Sequence, residues 1–127
     1  ATVCPDSALF GWGIGQAGRG IIPVGFDTLQ GEDGLMGSAA IVVWSEADNA
    51  RDVALNLLRF FADESCGQCT PCRVGCEKAV MLMDRPEWDG DLLREISGTM
   101  MDASICGLGQ AAPNPMLMVL KHFPEDI

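Results

Sequence analysis

From Ser45 onward, apolar residues recur at the three- and four-residue spacing of helices, whereas before it they come in short unbroken runs. Val53, Leu57, Phe60 and Phe61 predict a first helix that ends before Ser65. Ser45 followed by Asp48 gives it a capping-box start, with Asp in place of the usual Glu. Val80 and Met83 mark one face of a second helix over Cys72–Met83, which Arg85-Pro86 breaks. A third helix is expected over Asp91–Asp102. A fourth begins near Pro113 or Pro115 and carries Leu117, Leu120 and Phe123. Four short helices joined by brief loops predict a small bundle over residues 45–127.

Residues 1–44 read differently. They hold nine of the fifteen glycines and two β-like runs, Gly20–Phe26 and Ala39–Trp44, separated by the turn-rich stretch Gln30–Gly37. Two or three strands cannot build a core of their own, so this half reads as the edge or remnant of a β-rich module that packs on something else. Gly13-Ile-Gly-Gln-Ala-Gly18 is formally G-x-G-x-x-G, with Asp33 near the place of a ribose-binding acid. That motif needs a strand before it and a helix opening on it. Gly20, Pro23 and Gly25 forbid the helix, and Pro5 with Gly11 weakens the strand, so a plain glycine-rich loop is the reading.

At 127 residues the chain supports one modest core. Eighteen acidic against eight basic residues give a net charge of −10, which repels a phosphate backbone and an anionic lipid surface. Neither nucleic acid nor direct membrane insertion is therefore expected. The longest apolar runs, Ala39–Trp44 and Met116–Leu120, fall far short of the ~20 residues that span a bilayer. No basic stretch followed by an apolar one gives a secretory signal. Because the chain starts at Ala1, processing or origin in a larger polypeptide is expected.

Six cysteines change the picture: Cys4, Cys66, Cys69, Cys72, Cys76 and Cys106. Four fall within eleven positions, where thiols on a tight loop are poor disulfide partners and good ligands of a shared metal centre. The compartment reads as reducing and cytoplasmic. Cys66, Cys69 and Cys72 stand in C-x2-C-x2-C spacing, and thirty-three residues separate Cys72 from Cys106. Three thiolates on one loop can wrap three corners of a cuboidal iron–sulfur cluster, and a fourth from elsewhere closes it. Gly67 lets the backbone pass near the sulfurs, and Pro71 stiffens the loop and can start the next helix. A zinc-stapled helical bundle that only docks partners is the alternative, although structural zinc usually takes two separated C-x2-4-C knuckles. Cys76 completes the bacterial ferredoxin run C-x2-C-x2-C-x3-C, yet Glu77 stands where proline should follow, and no second such run exists. One helical turn past Cys72, Cys76 is better placed to pack as a small apolar residue, and the pattern favours Cys106 as fourth ligand.

Phe60-Phe-Ala-Asp-Glu-Ser-Cys-Gly-Gln-Cys-Thr-Pro-Cys-Arg73 and Ser104-Ile-Cys-Gly-Leu-Gly109 resemble the C-terminal iron–sulfur domain of the NADH-binding flavoprotein subunits. That family includes respiratory complex I, NAD-reducing hydrogenases and NAD-dependent formate dehydrogenases. The resemblance covers about residues 20–127. It implies that Cys66, Cys69, Cys72 and Cys106 bind one [4Fe–4S] cluster and that Cys76 is not a ligand. Residues 20–44, with Phe26-Asp-Thr-Leu and Gly37-Ser-Ala-Ala-Ile-Val-Val, resemble the end of the β-grasp (SLBB-like) module that precedes the cluster domain. The implied architecture is mainly α: a partial β-grasp segment over residues 1–44, then a four-helix, cluster-carrying domain over 45–127. Cys106-Gly-Leu-Gly-Gln-Ala-Ala-Pro-Asn-Pro115 and Lys121-His-Phe-Pro-Glu-Asp126 look closest to formate dehydrogenase β subunits.

Family members carry a large N-terminal domain holding FMN and NADH, and nothing in this sequence matches its glycine-rich flavin motifs. The resemblance thus implies an electron-transfer module of a multi-subunit NAD-linked oxidoreductase, with FMN and NAD bound elsewhere in the complex. Its expected neighbours are a thioredoxin-like [2Fe–2S] subunit and a catalytic subunit with further iron–sulfur clusters. No residue here is expected to act as acid, base or nucleophile. Other chemistry-bearing residues have plainer readings. His122, the only histidine, falls in the last turn of a helix and suits its C-terminal dipole. Met81, Met83, Met100, Met101, Met116 and Met118 read as core filling, Trp12 and Trp44 as buried or partner-facing, and Cys4 as a free thiol. Arg73 either tunes the cluster or faces solvent. Asp84, Glu87, Asp89 and Asp91 form a solvated turn.

Overall fold

The computed structural model describes residues 48–127 and, as backbone, residues 8–10, 13–15 and 41–42. The chain divides into two compact units, Ala1–Asn49 and Ala50–Ile127. In the first, β1 (Ala8–Phe10) pairs antiparallel with β2 (Gly13–Gly15) and, on its other edge, with β3 (Ile41–Val42). Leu9 is in register with Ile14 on one side and Val42 on the other. The opening of the Gly13–Gly18 motif is therefore a sheet strand, not a loop, and Pro5 with Gly11 does not prevent the strand before it. Of the expected β runs, Ile41–Val42 lies in β3, while Gly20–Phe26 and most of the β-grasp segment lie outside the described residues. So do Cys4, Trp12 and Trp44.

The second unit holds five helices: α1 (Ala50–Asp63), α2 (Thr70–Met83), α3 (Gly90–Ala103), α4 (Gly107–Ala111) and α5 (Asn114–His122), followed by a 3-10 turn, Pro124–Asp126. Helix α1 packs on α2 and α5, and α3 packs on the same two, so four helices close into a ring around one core. The short α4, which the hydrophobic pattern does not predict, sits against α2 and α3. Leu58, Phe61, Met83, Leu93, Met100, Met116 and Val119 fill the core. Each such side chain contributes about 1.5–3 kcal/mol by leaving water.

The helix boundaries reflect where orphan backbone groups find partners. Helix α1 starts at Ala50, five residues after the Ser45 expected to cap it, and the Ala50 N–H donates to Asp126 Oδ2 at 3.1 Å. The first N–H of the helix is thus capped from the other end of the unit, while Ser45 lies outside the described residues. The buried face is Ala50, Ala54, Leu55, Leu58 and Phe61, whereas Phe60, expected inside, is exposed. On α2, Ala79, Leu82 and Met83 are buried and Val80 only partly so. Met81 and Met101 are exposed too, leaving core filling to Met83, Met100 and Met116. At the far end of α2, Arg51 donates to the carbonyls of Met83, Arg85 and Pro86. Its guanidinium lies 5.7 Å from the centre of the Trp88 ring, and the Trp88 indole N–H reaches Met83 O at 2.8 Å. One arginine and one tryptophan thereby satisfy the helix's last carbonyl, and the arginine also takes two carbonyls of the turn into α3. The acids of that turn are also employed: Asp89 accepts from the Leu92 N–H at 3.1 Å as N-cap of α3, and Asp84 pairs with Arg59 at 2.7 Å.

Candidate metal centre

Two loops carry the four expected ligands, and the bundle sets the loops against each other. The first joins α1 to α2. Gly67 adopts φ +73°, a left-handed conformation that favours glycine, and turns the chain between Cys66 and Cys69. Arg73 closes the turn by donating to Gly67 O, so this arginine acts as a clasp on the ligand loop, with its side chain at the surface. Cys69 is the N-cap of α2 and Cys72 lies in its first turn. Thiolates there meet the positive end of the helix dipole, which stabilises them. The second loop joins α3 to α4. It places Cys106 as N-cap of α4, with φ −132° and ψ 168°.

Close packing joins the loops at Gly109. A Cβ on this glycine would stand 2.8 Å from the Cys72 Cβ and 2.7 Å from the Ser104 Cβ, so no larger residue fits between them. Backbone groups of Ile105 and Cys72 lie against the Cys69 thiol and hold its pKa below the usual thiol value, with the Ser104 hydroxyl acting in the same direction. Ser65 Oγ accepts from the Gly67 N–H at 3.3 Å and lies 3.3 Å from Cys72 Sγ, where either group can donate and, toward a thiolate, the hydroxyl must. Cysteine spacing alone does not single out these two serines. The signal lies beside it: each loop carries a hydroxyl just ahead of its first cysteine, Ser65-Cys66 and Ser104-Ile-Cys106.

Cys66 and Cys106 are exposed, Cys69 is half-buried and Cys72 is buried, so the loops form a site open on one side. Ile105, 78% exposed, stands beside that opening. Cys76 is fully buried one turn along α2, and burial, then the neighbouring Cys72, pushes its thiol up to about 12. Such a thiol stays protonated and packs as an apolar group. Among the described residues, no three His, Cys, Asp or Glu side chains converge tightly enough to hold one metal ion, the arrangement a zinc staple needs. Thiolates around a cuboidal cluster bind different irons and need not converge on one point. Four thiols on two abutting loops, with N–H and O–H donors facing sulfur and a buried Ser104 hydroxyl that completes no hydrogen bond, fit such a cluster.

Comparison with known proteins agrees. The family described as the NADH-ubiquinone oxidoreductase-F iron-sulfur binding region matches residues 52–127, and this region binds one [4Fe–4S] cluster. The chain is 35% identical over 111 residues to the NADP-reducing hydrogenase subunit HndC of Solidesulfovibrio fructosivorans, covering 83% of this chain and 23% of that protein. Against the mitochondrial NADH-ubiquinone oxidoreductase 51 kDa subunit of Aspergillus niger it is 32% identical over 108 residues, covering 80% and 22%. It superposes on an NAD+-reducing [NiFe]-hydrogenase in the H2-reduced state with a TM-score of 0.73 and 24% identity, over 96% of this chain and 22% of that one, a likeness of fold. The chain spans somewhat less than a quarter of the length of these two curated relatives. With the family matched over more than half its length, and with both cysteine loops inside the match, the chain belongs to the NADH-ubiquinone oxidoreductase-F iron-sulfur binding region family.

Proposed function

We propose that this chain is the electron-relay segment of a multi-subunit NAD-linked oxidoreductase, with Cys66, Cys69, Cys72 and Cys106 as the ligands of its [4Fe–4S] cluster. The observation that carries the reading is the junction of the two cysteine loops, where Gly109 seats the second loop against Cys72 and the Ile105 backbone faces Cys69. The cluster supplies one-electron chemistry, so that a hydride delivered to a flavin as two electrons can leave singly. The protein's own part is to hold the thiolates, donate hydrogen bonds to sulfur and leave one side open. The exposed Cys66, Ile105 and Cys106 mark that open side as the electron path to a neighbouring carrier. FMN and NAD bind elsewhere in the complex, and hydride chemistry takes place there.

The neighbours we infer are a thioredoxin-like [2Fe–2S] subunit and a catalytic subunit with further iron–sulfur clusters, in a cytoplasmic complex. No described helix is long and apolar enough to cross a membrane. Within the family, the sequences Cys106–Pro115 and Lys121–Asp126 support the formate dehydrogenase β branch. The relatives named above come from the hydrogenase and complex I branches, and the relay role does not depend on the choice. The assignment is tested by single Cys→Ser variants prepared anaerobically. Cys106→Ser should abolish or convert the cluster, while Cys76→Ser should keep its iron and the EPR signal of the reduced state. The reverse pattern would replace this ligand set by the ferredoxin-like one.

A further inference from the structure

We propose that the Ser104 hydroxyl donates a hydrogen bond to the Cys69 thiolate in the loaded site, and that it raises the reduction potential of the cluster held there. The proposal rests on the iron–sulfur reading above. Ser104 is the C-cap of α3 and is 5% exposed. Its backbone is fully engaged: the N–H donates to Met100 O at 3.2 Å and the carbonyl accepts from Gln110 Nε2 at 3.0 Å. The hydroxyl is the one part left over. It is buried and makes no hydrogen bond of full geometry, yet it lies close enough to the Cys69 thiol to help hold that thiol's pKa down.

The other buried serine of the unit shows the ordinary solution. Ser97, inside α3, donates to the Leu93 carbonyl one turn back at 2.6 Å. Ser104 does not use that outlet: its extended backbone (ψ 139°) ends the helix, and its hydroxyl makes no bond to the carbonyl one turn back. The hydroxyl instead sits against Gly109, in the space that a Cβ there would fill: such a carbon would collide with Ser104 Oγ and Cβ and with Cys72 Cβ. A buried hydroxyl with no acceptor is unfavourable. A neutral thiol is a weak acceptor, whereas a metal-bound thiolate is an anionic and stronger one. The hydroxyl is thus placed for the loaded site and not for the empty one. Hydrogen bonds to sulfur favour the more negative, reduced cluster, so this one moves the potential upward.

Ser104 is a positioning and tuning residue, and its test is an EPR-monitored redox titration of loaded wild type, Ser104→Ala and Ser104→Thr. The alanine variant should have a lower midpoint, with the reduced-to-oxidised ratio at fixed potential down by at most about tenfold, equivalent to ~59 mV for a one-electron couple. The threonine variant, which keeps the hydroxyl, should stay with wild type. A purely structural serine would alter thermal stability or iron content and leave the midpoint alone. An unchanged midpoint in loaded Ser104→Ala overturns the proposal while the cluster reading stands. Wild type that takes up no iron overturns both. Should Ser104→Ala assemble no cluster, resonance Raman of wild type in D2O decides: shifted iron–thiolate stretches support the hydrogen bond, and unshifted ones overturn it.

Discussion

Gly109→Ala adds one methyl where the two cysteine loops meet, and its consequence follows from what that methyl touches. The new carbon would stand 2.7 Å from Ser104 Cβ and 2.8 Å from Cys72 Cβ. Both obstacles are attached directly to backbone, so relief requires one loop to move away from the other. Overpacking of this kind costs about 1–3 kcal/mol, and the helix propensity of alanine returns about 0.5–1. The rigid obstacles place the net loss near 2 kcal/mol. For a unit of this size that lowers Tm by about 8–16 °C. Gly98→Ala is the matched control, because Gly98 lies inside α3 with nothing within 4 Å of its added carbon. It should gain about 0.5–1 kcal/mol, or ~2–8 °C. Gly75→Ala should fall between, since its obstacle is the flexible Met100 side chain, with Cγ 2.5 Å and Sδ 2.6 Å away. Thermal melts by circular dichroism, with iron content measured on the same samples, give the order 98, wild type, 75, 109. A Gly109→Ala protein as stable and as iron-rich as wild type would refute the claimed junction of the loops.

Three further outcomes follow from the same contacts. Asp126→Ala should cost about 0.5–2 kcal/mol by removing the cap on the Ala50 N–H, seen as a lower urea midpoint with unchanged slope. Trp88→Phe keeps an aromatic ring but orphans part of Met83 O, so a loss of ~1 kcal/mol is expected, and Trp88→Ala should lose about 3–5 by emptying the site. Cys76, buried and with its thiol raised to about 12, should resist alkylation in folded protein at pH 8 and react once urea unfolds it. Labelling of Cys76 in the folded protein would contradict its burial.

Helical periodicity, proline breaks and brief loops are enough to expect a small bundle, and α3 agrees with its expected span to within one residue at each end. What periodicity misses is set by distant partners. Residues Ser45 and Asp48 look like a local cap, yet the first helix N–H is satisfied by Asp126, at the opposite end of the unit. Phe60 and Phe61 are adjacent and equally apolar; only packing decides that Phe61 is buried and Phe60 is not. Helix α4 spans five residues, Gly107–Ala111, two of them glycine, and too few to show a period. For the site, cysteine spacing places the thiols on two loops. It cannot show that Gly109 is the contact between the loops, that Arg73 clasps Gly67, or that Ser65 and Ser104 turn their hydroxyls toward thiols. Each of those depends on the two loops meeting in space.

The central claim is that this bundle exists to hold a [4Fe–4S] cluster, and metal content tests it most directly. Protein prepared anaerobically should be brown, with about four irons and four acid-labile sulfides per chain and negligible zinc. Colourless protein carrying one zinc and no sulfide would contradict the account.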